Sequence, residues 1–138
     1  MQEKKLFEYA VIRIVPKVER EEFLNIGVIL YCAKEKFLGV QYILDEKRLS
    51  SFCGAMGMPQ LEGYLDAFER IAQGAADSGP IGKLPVAERF RWLTATRSTV
   101  LQTSRLHPGL CDDAAEMLAI LFKKLVLTDK EDDKKNAG

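Results

Sequence analysis

Apolar and polar positions divide this chain into segments of two kinds. Phe7–Val15, FEYAVIRIV, is dense in β-branched and aromatic residues. Ala10, Ile12 and Ile14 fall on one face, and Phe7, Tyr9, Val11, Arg13 and Val15 on the other. Both faces are mostly apolar, which predicts an interior strand ended by Pro16. Asn25–Ala33 and Phe37–Leu44 predict two more strands, joined by the polar turn Lys34-Glu35-Lys36, close enough in sequence for an antiparallel hairpin. Gly27 marks either a bulge or a close approach to the backbone. The charged connector between the first two strands predicts a helical turn around Glu19–Phe23.

The period then changes. Asp45 suits an N-cap, and Leu49, Phe52, Cys53 and Met56 follow at i, i+3, i+4 and i+7, an amphipathic helix over Asp45–Met56. Gly54 and Gly57 weaken its end. Pro59 fits the first turn of a second helix, Gln60–Gln73, whose stripe is Leu61, Tyr64, Leu65, Phe68, Ile71 and Ala72. Gln73–Lys83 reads as a loop. Pro85 opens a short helix to Trp92, although Arg89-Phe90-Arg91-Trp92 also alternates like a strand. Ser98–Ser104 predicts a fourth strand, and His107-Pro108-Gly109 a turn. Asp113 and Glu116 have capping-box spacing ahead of a helix over Asp113–Leu127, with stripe Leu118, Leu121, Phe122 and Leu125. The tail from Thr128 is charged, lacks large apolar residues and is expected to be a frayed, solvated end. The pattern predicts one α+β domain over residues 1–127: an antiparallel sheet of about four strands, with three main helices packed mainly on one face.

Composition changes this picture little. The 138 residues carry a formal net charge of +0, so no global field draws the chain to nucleic acid or membrane. No apolar run approaches the roughly 20 residues of a membrane span. Glu8 and Arg13 interrupt the apolar N-terminal run, which argues against a signal peptide. Three widely spaced cysteines without a CxxC pair predict buried, reduced thiols in a cytoplasmic protein, and neither a zinc ribbon nor a dithiol centre. There is no internal repeat and no phosphate-binding glycine motif. No metal and no cofactor is expected. The carboxylates Glu19, Glu21, Glu22, Asp45 and Glu46 lack a spacing specific for magnesium, and loops and a helix cap account for them.

Glu88–Gly109, ERFRWLTATRSTVLQTSRLHPG, stands apart. It holds the only tryptophan and histidine of the chain and four arginines. Five basic residues, Lys83, Arg89, Arg91, Arg97 and Arg105, meet one acid, Glu88. Arg89, Arg91, Arg97 and Arg105, with Ser98, Thr99 and His107, form a candidate site for phosphate or carboxylate, since guanidinium groups present paired donors. Arg13 and Arg20 are added as candidate anion- or partner-binding residues. The competing expectation is that these arginines are solvated or pair with acids such as Glu19, Glu21 and Glu22. His107 has the ordinary pKa of an acid–base catalyst, and Cys111 lies four residues on, but no orienting third residue can be picked by spacing. A turn histidine bonded to backbone is the plainer expectation. Trp92 and Phe90 either stack a base beside the arginines or belong to the core.

YAVIRIVPKVEREEFLNIGVILYC and ERFRWLTATRSTVLQTSRLHPG together resemble the bacterial family called domain of unknown function 3037, over about Tyr9–Leu127. The matching positions include Arg13, Pro16, Arg20, Glu22, Asn25, Gly27, Arg89, Phe90, Trp92, Ser98, Thr99, His107 and Gly109. The resemblance carries no catalytic residues. Because some members are encoded beside kinase-like proteins resembling the HipA toxin, it implies such a kinase as a partner. Two functions are therefore expected in competition. One is a cytoplasmic binding or accessory module for a HipA-like kinase or other protein. The other is a small phosphate-handling enzyme using the arginine segment and His107, with a phosphate-bearing ligand or nucleic acid bound there.

Overall fold

The structure is a computed structural model, which describes residues 3–15, 22–53, 58–95 and 100–127. The expectations for the turn around Glu19, for Arg20, Met56, Arg97, Ser98 and Thr99, and for the tail lie outside the described residues, as do the side chains of Phe52 and Cys53.

Among the described residues, five strands form one antiparallel sheet: β1 (Lys5–Ile14), β2 (Leu24–Cys32), β3 (Phe37–Tyr42), β4 (Leu101–Thr103) and β5 (His107–Cys111). The helices are α1 (Glu46–Cys53), α2 (Met58–Gln73), α3 (Val86–Leu93) and α4 (Ala114–Leu125). The α+β prediction holds. The ambiguous run Arg89–Trp92 is helical, in α3.

β1 is central. It pairs with β2 along one edge, and with both β4 and β5, end to end, along the other. Between them, Ser104–Leu106 stand opposite only Ala10 and Val11, so an extra residue interrupts the ladder. Ser104, the one buried polar residue among those described, repairs the interruption. Its N–H donates to the Val11 carbonyl at 2.8 Å, and its Oγ accepts from the Val11 N–H at 2.8 Å.

His107-Pro108-Gly109 is strand, not turn, since His107 pairs with Tyr9, Pro108 with Glu8 and Gly109 with Phe7. Along β1 the backbone of odd-numbered residues points toward β4 and β5, as the Val11 and Val15 bonds show. Pro108 stands opposite an even-numbered residue, so its missing N–H falls on the outer edge of β5, where proline is tolerated. Gly27 serves both of its expected roles. Ile26 is an extra residue where the β1–β2 register shifts, and a Cβ on Gly27 would lie 2.7 Å from the Gln41 carbonyl oxygen.

The helices pack mainly on one face, as expected, and α4 covers the other. Ala10, Ile12 and Ile14 pack with Leu61, Leu65, Phe90 and Leu93 of α2 and α3. Phe7, Val28, Leu30 and Cys32 pack with Leu118 and Phe122 of α4 on the opposite face. The cause is visible in β1, whose two faces are both apolar and both need cover. Tyr64, assigned to the packing stripe of α2, is instead exposed.

Candidate functional site

The C-terminal end of α2 shows how the sequence disposes of one arginine. Gly74 adopts φ +68°, and Gly74 N–H and Ala75 N–H donate to the Ile71 and Arg70 carbonyls at 3.0 Å each. This left-handed glycine closes the helix in a Schellman motif. Arg89 of α3 completes the closure. It donates to the Leu84 carbonyl at 2.7 Å and the Ala72 carbonyl at 3.5 Å, and its guanidinium covers the space where a Gly74 Cβ would project. Arg89 thus caps the helix through two backbone oxygens, while its Nε is buried without a hydrogen-bond partner among the described residues.

The other predicted residues separate. Arg91 is exposed on α3, on the same side of the sheet as Arg89. His107 lies opposite Tyr9 on the α4 side, with the two rings stacked at 5.2 Å between centroids and 29° between planes. The sheet therefore stands between His107 and both α3 arginines. Arg105 is exposed in the connector before β5. Arg13 places its guanidinium carbon 4.0 Å from the Phe23 ring centroid, a cation–π contact. Burial lowers the Arg13 pKa, and its Nε is buried without a hydrogen-bond partner among the described residues. His107 lines none of the described cavities.

The segment Glu88–Gly109 does contribute to a cavity, but through different residues. Tyr64, Ala67, Phe68 and Ile71 form a second stripe on α2, again at i, i+3, i+4 and i+7. α3 has only 8 residues against the 16 of α2, and does not cover this stripe completely. Trp92, Leu93, Ala95 and the run Val100–Thr103 form the opposing wall. This half-open cavity has a volume of about 310 Å³, at the small end of ligand sites. Thr94 stops α3 at this wall, its Oγ1 donating to the Phe90 carbonyl at 2.8 Å, while the Thr103 hydroxyl donates to the Thr94 carbonyl at 3.3 Å. The described lining is aromatic and aliphatic, with the hydroxyls of Tyr64 and Thr103 and the amide residue Gln102, and includes no carboxylate, imidazole, thiol or amine. Walls of this kind suit an apolar group. Ala95 and Val100, which flank the undescribed residues carrying Arg97, Ser98 and Thr99, both line the cavity.

Sequence reasoning missed a second constellation. Cys32, Glu35 and Cys111 bring two thiol sulfurs and a carboxylate oxygen within 4.8 Å of one another. Glu35 was only part of a polar turn, and Cys111 is far away in sequence. The signal that could have joined them is the pairing of β1 with both β2 and β5, which reading His107–Gly109 as a turn concealed. Burial pushes the Cys111 thiol pKa up; Cys32 and Glu35 add to the rise, and Lys5 opposes it.

The fold and these sites define a small α+β domain with a two-sided sheet and an apolar cavity on one side. The chain belongs to the family described as protein of unknown function, DUF3037, which matches residues 9–126. No curated protein and no solved structure matches it. Among the described residues, no helix is long and apolar enough to cross a membrane.

Proposed function

We propose that the chain is a cytoplasmic binding or accessory module, and that its working site is the cavity between α2, α3 and β4. The observation that carries this is Trp92, which is 37% exposed at the cavity wall, with exposed Tyr64 on the facing helix. Aromatic side chains around an apolar recess are what a partner's anchoring residue needs, since most binding energy concentrates in such desolvated contacts. The family resemblance implies a HipA-like kinase as the partner class. Arg91 is exposed on the same helix as Trp92 and offers a cation to an acidic segment of that partner.

The test is co-purification of a co-expressed HipA-like kinase with the chain, followed by a calorimetric titration of the parent and its variants, with the fluorescence of Trp92, the sole tryptophan of the chain, as a second readout where that residue is kept. Trp92→Ala is expected to weaken binding by about tenfold or more. Ala67→Leu, which fills the cavity from α2 at little cost to helix propensity, is expected to do the same with Trp92 still in place. Equal binding by both variants would move the contact elsewhere, and failure of the kinase to co-purify would remove that partner class.

A further inference from the structure

We propose that Cys32, Glu35 and Cys111 form a three-donor binding site for a thiophilic divalent cation of the zinc class. The site lies where the end of β2, the β2–β3 turn, the end of β5 and the start of α4 meet. It is separate from the cavity on the other face of the sheet.

Four observations support it. First, the donor atoms converge within 4.8 Å, a spread that one ion can draw together, since zinc bonds sulfur at about 2.3 Å and carboxylate oxygen at about 2.0–2.2 Å. Second, the donor types match. Two thiolates and a carboxylate select a borderline-soft ion over magnesium or calcium, which take oxygen ligands.

Third, topology disfavours the rival use of two neighbouring thiols, a disulfide. β1 runs between β2 and β5. The cysteine backbones are therefore about two strand spacings apart, on the order of 9–10 Å, whereas a disulfide needs its Cα atoms within roughly 7 Å. An ion spans the gap that a sulfur–sulfur bond does not.

Fourth, the surroundings are those of a held ligand set. Cys32 and Cys111 are 0% and 2% exposed. Glu35 is fixed by the Ala114 N–H, which donates to its Oε2 at 2.9 Å, and Lys5 Nζ stands 3.7 Å from the same oxygen. Such contacts orient a ligating carboxylate. Binding releases both thiol protons to solvent. The ion's two positive charges then meet three negative donors, and Lys5 offsets the remainder. Water completes the fourth position from the side of Glu35, the most accessible of the three donors. The bound ion would clamp the first turn of α4 to the sheet.

The experiment uses the full chain, stripped with a chelator under reducing conditions and titrated with cobalt(II), then zinc(II). One equivalent of cobalt should bind with thiolate-to-cobalt charge-transfer absorption, and zinc should displace it and raise the melting temperature. Cys32→Ser and Cys111→Ser should each abolish the band, while Cys53→Ser keeps it. Glu35→Gln should weaken cobalt binding by about tenfold or more. The parent titration needs no variant to fold: a parent without the charge-transfer band overturns the proposal. So does a band that survives Cys32→Ser or Cys111→Ser, and unchanged affinity in Glu35→Gln overturns the three-donor assignment.

Discussion

The two faces of the sheet are finished differently. On one, α4 is tied at both ends. Asp113 accepts from the Ala115 and Glu116 N–H groups and Glu35 from Ala114, while Asn25 donates to the Leu125 carbonyl and Arg48 to the Val126 carbonyl. On the other face, α2 and α3 have unequal lengths, and the stripe Tyr64–Ala67–Phe68–Ile71 is left lining a cavity. The comparison teaches that aromatic content alone does not mark a core. Phe90 and Trp92 are two residues apart on one helix, yet Phe90 is 1% exposed and stacked on Tyr31 at 5.2 Å, whereas Trp92 borders the cavity.

The largest expected effect tests that contrast. Phe90→Ala removes a fully buried ring and should cost about 3–5 kcal/mol in denaturant unfolding. Trp92→Ala should cost about 1 kcal/mol or less and act on binding instead. Equal losses for the two would erase the distinction between closed and open faces.

Ser104→Ala tests the sheet that both faces share. It leaves the buried Val11 N–H without its Oγ acceptor, and should cost about 1–3 kcal/mol, read from the urea midpoint at unchanged slope. Loss of a cap on the closed face comes next. Asp113→Ala should cost about 1 kcal/mol, and hydrogen exchange should show fraying confined to the first turn of α4.

The smallest effect is a pH dependence of the metal-free protein. Burial raises the Cys111 thiol above its ordinary 9.0. The folded chain therefore holds this proton more tightly than the unfolded chain does. The associated stability is complete below 9.0 and is lost as pH rises through the folded value. Tyr42, raised first by burial and then by Glu69, Asp66 and Glu62, contributes its own decline only above 10.0. Melting profiles taken below that pH should show a decline that Cys111→Ala flattens.

Much of the fold was legible because local chemistry and burial agreed. Asp45 and Asp113 cap the helices they precede, with Asp45 Oδ1 accepting from the Lys47 and Arg48 N–H groups. The two-sided cover was legible too, in the apolar residues on both faces of β1. β5 was hidden because proline and glycine favour turns locally, while the sheet admits Pro108 at an outer edge. The candidate site was less legible. A run of arginines reads as an anion site, but position on the fold decides each one's role: Arg89 caps α2, Arg13 lies against Phe23, and Arg91 remains at the surface. The Cys32–Glu35–Cys111 cluster depends on strand order, which no local spacing encodes.

Pro108 has a further consequence for life in a crowded solution. Leu6 and Leu110 stand directly opposite each other on β1 and β5, each 60% exposed. An apolar pair beside an outer strand that no other described strand pairs invites a second chain to dock and continue the ladder. A newcomer aligned there meets no donor at Pro108 and forfeits a rung at the place where the greasy pair would reward it most. One imino acid thus guards the colloidal behaviour of the molecule, discouraging fibre-like stacking while leaving β5 paired with its own sheet.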